Sequence, residues 1–447
     1  MQQSVDYIVV GGGSSGCALA GRLSESPDIS VLLLEAGGKG DNWLVNTPAA
    51  VVLQVPKKIN NWAFETVPQP GLGGRKGYQP RGKVLGGSSS INAMAYIRGH
   101  RMDYDEWASL GNSGWSYDEV LPYFKRAEDN RRLKDAFHGQ GGPLVVSDLQ
   151  TDNPFQQHYL DAAKQVGYPI STDFNGAEQE GVGLYQVTQE NGERWSAYRG
   201  YIKQHLDTRR NLHVETDALT QRILFEGKRA VGVEYRQRGR VMTVRANKEV
   251  ILSAGAFQSP QLLMLSGIGD AAELQKHGIP VVHHLPGVGK NLKDHPDFIF
   301  GYKSDDTNLL GISLKGGLHL LKQIGRYRRE RRGLISSNFA EGGGFLKTRP
   351  ELSAPNIQLH FVIALVDDHA RTLHPGHGLL VGGSHRGARA VAGGLHIGRP
   401  IELALALAAG THHRLHDTGI ADARAAHAAL FGAVYRGLQL GQRIAEP

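Results

Sequence analysis

The chain has 447 residues, 40% hydrophobic and 21% charged, with 58 glycines, a formal net charge of +7 and one cysteine. That length exceeds one ordinary domain and predicts two interlocked ones, while the lone Cys17 excludes an internal disulfide and a multi-cysteine zinc site. The scattered arginines give only mild basicity and no sign of a nucleic-acid partner. No stretch approaches the ~18–20 consecutive apolar residues of a membrane span.

The first predicted element is a buried parallel strand, Asp6-Tyr-Ile-Val-Val10, short, apolar and rich in β-branched residues. GGGSSGCALAGRL follows at once, and Gly11, Gly13 and Gly16 fit G-x-G-x-x-G. A helical pattern through Cys17, Leu19, Ala20 and Leu23 then leads to a second strand, Val31–Leu34, ending at Glu35, 19 residues after Gly16. Each part has a physical task in holding a dinucleotide. Gly11 permits a tight turn, Gly13 lets a pyrophosphate approach the backbone, and Gly16 lets helix and strand pack closely. The helix N-terminus offers unpaired N–H groups to the phosphates, and Glu35 is placed to accept hydrogen bonds from a ribose diol. The candidate cofactor contacts here are Gly11, Gly13, Ser14, Ser15, Gly16 and Glu35. Cys17, among small apolar residues, reads as helix packing.

This unit alone does not separate FAD from NAD. Further along, PRGKVLGGSSSINAMAYIRGH (Pro80–His100) carries a Gly86-Gly87-Ser88-Ser89 turn that brings main-chain N–H groups close to a charged ligand. Asn92 beside it can donate and accept hydrogen bonds. This segment is similar over its whole length to the first signature of the glucose–methanol–choline oxidoreductase family, and GAFQSPQLLMLSGIG (Gly255–Gly269) resembles its second. PGVGKNLKDH (Pro286–His295), NWAFETVPQP (Asn61–Pro70), HGQGGPLVVS and DFNGAEQEGVGLYQVTQENGERWSA are family-like as well, so the resemblance runs over roughly residues 4 to 373.

The resemblance implies an α/β (α+β mixed) fold: a Rossmann-like FAD-binding domain interlocked with a substrate domain built on an antiparallel sheet. The expected division is residues 1–150 and 205–296 for FAD and 151–204 and 297–373 for substrate. It adds Gly86, Gly87, Ser88, Asn92 and Ala93 to the cofactor contacts. One variant of the family attaches FAD through a histidine in the first signature, where this chain has Ser90-Ile91-Asn92, so non-covalent FAD is expected. The closest branch resembles bacterial alcohol dehydrogenases that oxidise primary alcohols and pass electrons to a quinone or other non-oxygen acceptor, with choline dehydrogenase as the alternative. A cytoplasmic protein is expected, with peripheral attachment to the inner face of a membrane left open.

Between the signatures, Arg222–Leu224, Val231–Tyr235 and Val241–Arg245 alternate apolar and polar residues around EGKR and RQRG turns, which predicts an antiparallel meander leading into a buried strand at Glu249–Ala254. Gly344-Phe-Leu and Ile357–Val366 read as strands of the substrate sheet. The arginine run at Arg326–Arg332 reads as a solvated helix face, the alternative being a lipid- or acceptor-facing patch.

From His374 to Pro447 the composition changes: no Lys, Asn, Met, Trp or Cys, and eight of the twenty histidines. A pair of compensating frame changes in a GC-rich gene would produce this bias, and a divergent natural tail is the alternative. The tail is expected to hold no counterpart of the family's His-Pro-x-Gly-Thr motif, so no catalytic residue is assigned. The chain as written is then expected to be inactive or nearly so, a truncated flavin-binding protein. HPGHG (His374–Gly378) lies too early for that motif, and GTHHRLH (Gly410–His416) lacks the context of a metal site. No metal is expected. His100, His283, His284 and His295 are expected in structural or surface roles.

Overall fold

The computed structural model describes residues 4–295, 297–367, 371–373 and 376–385. Two six-stranded sheets organise it.

In the first sheet the order is Leu212–Glu215, Val31–Leu34, Ser4–Val10, Arg240–Leu252, Arg229–Gln237, Ala218–Glu226. The first four strands run parallel, and the last two extend the sheet antiparallel. Helix Ser14–Leu23 makes the crossover between Ser4–Val10 and Val31–Leu34, burying Gly16, Cys17, Ala20 and Gly21. All four side chains of Val31–Leu34 are buried, as the continuous apolar run predicts for a strand covered on both faces. The expected meander is present with one correction. Val241–Arg245 and Glu249–Ala254 are not separate strands; Arg240–Leu252 is continuous. Its first half pairs antiparallel with Arg229–Gln237 and its second half parallel with Ser4–Val10. No Gly or Pro interrupts residues 240–252, so the strand changes neighbours without breaking.

The second sheet is antiparallel: Asp297–Ser304, Gly376–His385, Ile357–Val362, Ala340–Leu346, Gly181–Leu184, with Gly311–Ile312 also on Gly376–His385. Helix Phe155–Gln165 lies on it, and Tyr159 stacks on Phe361 at 4.5 Å between ring centroids. The triple glycine of Ala340–Leu346 makes room for a neighbour: a Cβ at Gly343 would stand 1.8 Å from the Tyr185 hydroxyl, which donates to the Leu359 carbonyl at 2.7 Å. The strand expected at Ile357–Val366 ends at Val362, and Val366–Asp367 pairs instead with Thr372–Leu373.

The sheet also runs past residue 373. Gly376–His385 sits between two other strands, so part of the expected aberrant tail belongs to the fold. His377 is buried there, with Nδ1 2.8 Å from the Leu309 carbonyl and Nε2 2.6 Å from the Ser313 hydroxyl, which also caps helix Leu314–Glu330 by accepting from Gly316 N–H. These contacts give His377 a structural role, while His374 of HPGHG lies outside the described residues. The remainder of the tail, including GTHHRLH, lies outside the described residues.

Candidate cofactor site

The glycine loop after Ser4–Val10 is held from three sides. Gly11 has φ +99°, and a Cβ on it would stand 2.6 Å from the Ser253 carbonyl. A Cβ at Gly16 would stand 1.8 Å from the Gly11 carbonyl, so turn and helix touch there as expected. Gly13 differs. The nearest atom to its would-be Cβ is the Ser253 carbonyl at 4.0 Å, so its missing side chain leaves open space at the helix N-terminus. No side chain caps that terminus and no acid lies in its first turn, while Ser14 and Ser15 are exposed. Unpaired N–H groups beside an open glycine suit a phosphate.

Glu35 is buried at the end of Val31–Leu34. Its Oε2 accepts from Gly12 N–H at 2.9 Å and its Oε1 from Gly37 N–H at 2.8 Å. Burial pushes its pKa up to about 7, against the lowering effect of those two amides. An ionised carboxylate has about four lone-pair sites, so with main-chain donors at Gly12, Gly37 and Val84 Glu35 keeps capacity for a ribose hydroxyl. Cys17 is buried, its Sγ 3.1 Å from the Gly12 carbonyl, and burial raises its thiol pKa to about 12, in keeping with packing and not reactivity.

The Pro80–His100 segment docks on this loop. Gly86 N–H donates to the Gly12 carbonyl at 2.7 Å, and Gly87, at φ +53°, lies so close that a Cβ would stand 2.7 Å from Gly13 Cα. Ser88, Asn92, Ala93 and Ala95 are exposed beyond the contact. The structure thus joins the two groups of candidates, separated by some seventy residues of sequence, into one surface.

A residue that sequence reading passed over supports this surface. Arg194 is completely buried. Its Nε donates to the Val45 carbonyl at 3.1 Å, and its Nη1 to the Ser89 carbonyl at 3.1 Å and to Asn92 Oδ1 at 2.8 Å. Nη2 has no partner, and burial alone, with no opposing carboxylate, pulls its pKa down to about 9. Asn92 Oδ1 also accepts from Met94 N–H at 3.1 Å. The acceptor of that amide is therefore committed, leaving its NH2 to serve as donor. The sequence signal was an arginine in a family-like stretch; its burial could be read only from the fold.

The histidines weighed earlier take modest roles. His100 Nδ1 accepts from Met102 N–H at 3.3 Å as a helix cap, His284 Nδ1 accepts from Ala271 N–H at 3.0 Å, and His283 and His295 are exposed. Away from this surface His138 is buried between Glu128 and Asp173, with Nδ1 3.1 Å from Glu128 Oε1 and Nε2 3.0 Å from Asp173 Oδ2. Burial works against its charge, but the two carboxylates outweigh it and raise its pKa to about 9. Asp135, His138 and Asp173 bring three potential metal ligands together, yet both nitrogens of this ring are already committed to carboxylates.

Comparison with known proteins bears on the whole assembly. The family model described as GMC oxidoreductase matches residues 5–297. The chain is 46% identical over 376 residues to an alcohol dehydrogenase [acceptor] of Pseudomonas putida, covering 83% of this chain and 68% of that protein. It is 45% identical over 378 residues to the mitochondrial choline dehydrogenase of Homo sapiens, covering 82% of this chain but 62% of that one. Among solved structures it resembles pyridoxine 4-oxidase from Mesorbium loti (TM-score 0.73, 29% identity, 85% of this chain and 71% of that chain). It also resembles an Aspergillus oryzae RIB40 formate oxidase variant studied for FAD modification (TM-score 0.77, 28% identity, 87% and 74%). The chain belongs to the GMC oxidoreductase family.

Proposed function

We propose that this chain binds FAD non-covalently and serves the oxidation of a primary alcohol to its aldehyde, with electrons leaving to a quinone or another non-oxygen acceptor. The observation that carries the reading is the joined surface: the Gly86–Gly12 hydrogen bond sets Gly13, Ser14, Ser15, Ser88, Asn92 and Ala93 beside a helix N-terminus and Glu35. The open space at Gly13 and the uncapped helix fit the pyrophosphate, Glu35 fits the ribose, and the exposed Ser88, Asn92 and Ala93 fit the flavin ring. Bound FAD would supply the hydride acceptor, its flavin N5. The protein's part is positional: amides neutralise phosphate charge, Glu35 orients the adenosine end, and Asn92 offers an N–H donor at the ring. The similarity to an alcohol dehydrogenase [acceptor] favours an alcohol and a non-oxygen acceptor, and the choline dehydrogenase likeness keeps choline as the second substrate to test.

The purified protein should be yellow and release its flavin on acid precipitation; a colourless, folded protein that takes up NAD would overturn the reading. Primary alcohols and choline, assayed with an artificial acceptor, separate the substrate readings, and a yellow, folded protein that turns over neither is the outcome expected of a chain that binds flavin without oxidising an alcohol. Turnover of choline alone would reverse the order, and strong peroxide formation in air would argue against a non-oxygen acceptor.

A separate observation favours an anionic membrane surface as the place where a quinone is met. Helix Leu314–Glu330 exposes Leu314 (85%), Leu318 (64%) and Leu321 (66%) on one face, flanked by exposed Lys315, Lys322, Arg328 and Arg329. Spacing of i, i+4, i+7 with a basic margin suits an interfacial helix. Arg326 of the same run is instead held by Asp152 and Glu330, and Arg331 by Glu193. No helix among the described residues is long and apolar enough to cross a membrane. Vesicles containing phosphatidylglycerol should retain the protein more than neutral ones, and a triple Leu→Ser variant should lose that retention. Equal retention by the variant would discard the idea.

A further inference from the structure

We propose that Arg194 is a positioning residue of the cofactor surface, which holds Asn92 as a hydrogen-bond donor and sets an uncompensated positive charge under the loop that takes the flavin. The proposal rests on the reading that Ser88–Ala93 receives the flavin, and it concerns which state of that ring the protein prefers.

Three observations carry it. A guanidinium buried from solvent normally finds a carboxylate, because leaving a charge unpaired in the interior is costly. Arg194 instead has three main-chain or amide acceptors, Val45, Ser89 and Asn92, and an orphaned Nη2. Two of those acceptors, Ser89 and Asn92, belong to the loop docked on the glycine turn. Finally, Glu193, the acid adjacent in sequence, is committed elsewhere, to Arg199 and Arg331.

Such an arrangement is unfavourable for the empty protein and becomes useful if something on the loop gains negative charge. Two-electron reduction of a flavin with uptake of one proton leaves one negative charge on the ring, delocalised over its N1 and C2 carbonyl region. A fixed positive charge in a site of low dielectric favours that product over the oxidised ring. The same guanidinium locks the Asn92 amide through Oδ1, so its Nδ2 donors are pre-aimed and need no reorganisation when the charge appears.

The test compares wild type with Arg194→Gln, Arg194→Met and Arg194→Lys, each reconstituted with FAD, reading the flavin midpoint potential and the FAD dissociation constant. The neutral variants should prefer oxidised over reduced flavin by on the order of tenfold more than wild type, which for a two-electron couple is a drop of about 30 mV. Arg194→Lys keeps the charge and should hold its potential near wild type while binding FAD more weakly, because a point ammonium cannot reproduce the planar fork. Should Arg194→Met fail to fold, Arg194→Gln, which retains hydrogen-bonding capacity, decides alone. A wild-type potential in Arg194→Gln overturns the proposal. Absence of flavin binding in wild type would overturn the underlying reading instead, so the two failures are distinguishable.

Discussion

Gly87 and Gly13 stand back to back: a Cβ on the first would lie 2.7 Å from the Cα of the second. This contact brings two glycine loops, distant in sequence, into one surface, and it separates glycines that serve the fold from one that serves the ligand. Gly16→Ala would drive its methyl to 1.8 Å from the Gly11 carbonyl and Gly87→Ala would add a side chain at φ +53°. Both should destabilise the protein by about 1–3 kcal/mol. Gly13 has φ −76° and ψ −165°, and open space at its Cβ. Gly13→Ala should therefore leave the melting temperature nearly unchanged while weakening FAD binding by roughly tenfold or more, since the methyl occupies the approach to the backbone. Thermal melts and flavin-fluorescence titrations of the three variants check this; equal loss of stability in all three would refute the division of roles.

Glu35 should couple FAD binding to pH. Burial raises its carboxyl to about 7 from an ordinary 4.5, so without ligand its ionisation opposes folding: stability from this group is fully present below about 4.5 and lost as pH rises toward 7. A ribose diol donates only to acceptors, favours the ionised form and pulls that pKa down. FAD binding should then release a proton near neutrality, and affinity should fall as pH drops from 8 to 6. In Glu35→Gln the affinity should be lower, by roughly 1.5–3 kcal/mol, and flat over that range. A pH-independent affinity in wild type would show that Glu35 does not meet the ligand.

Much of the first sheet was legible because its signals are local. Strand, glycine turn, helix, strand and acid follow one another within 35 residues, and each carries its own pattern of apolar runs and small residues. The docking of Gly86 on Gly12 was legible only as family likeness, since no spacing rule connects the two loops. Arg194 escaped because burial of a charged side chain runs against composition-based expectation. Gly376–His385 escaped for a different reason: six of the ten residues of GHGLLVGGSH are glycine or histidine, with weak β propensity, and its pairing is imposed by neighbours on both sides.

His377 offers a direct check on that strand. Its ring satisfies the Leu309 carbonyl and the Ser313 hydroxyl at once, and lies against Gly316 at the start of the exposed helix. His377→Ala should remove both contacts, leave a buried carbonyl unpaired and cost about 1–3 kcal/mol in urea unfolding. FAD affinity should stay within twofold of wild type, because His377 stands in the second sheet, away from the glycine loops. A loss of FAD binding without loss of stability would contradict its structural role.

The last prediction concerns His138, whose ring joins Glu128 and Asp173 while Glu128 also receives Arg98 Nη2 at 2.5 Å. The imidazole is raised to about 9 from an ordinary 6.5. The sign follows from linkage: the folded state holds the proton more tightly, so this stabilisation is complete below about 6.5 and is lost as pH rises through 9. Glu128 and Asp173 are both held below the usual carboxylate range; burial alone would raise them, and their hydrogen bonds to His138 lead the opposing effects. The triad therefore stays ionised across the neutral range and weakens on the alkaline side when the imidazolium loses its proton. His138→Gln keeps some hydrogen bonding but no charge, and should cost on the order of 2–3 kcal/mol at pH 6.5 with a much smaller difference at pH 9.5. Urea unfolding of both proteins at the two pH values measures this. A stability difference that does not shrink between them would mean the ring is held neutral, and the network would then be an ordinary hydrogen-bonded one.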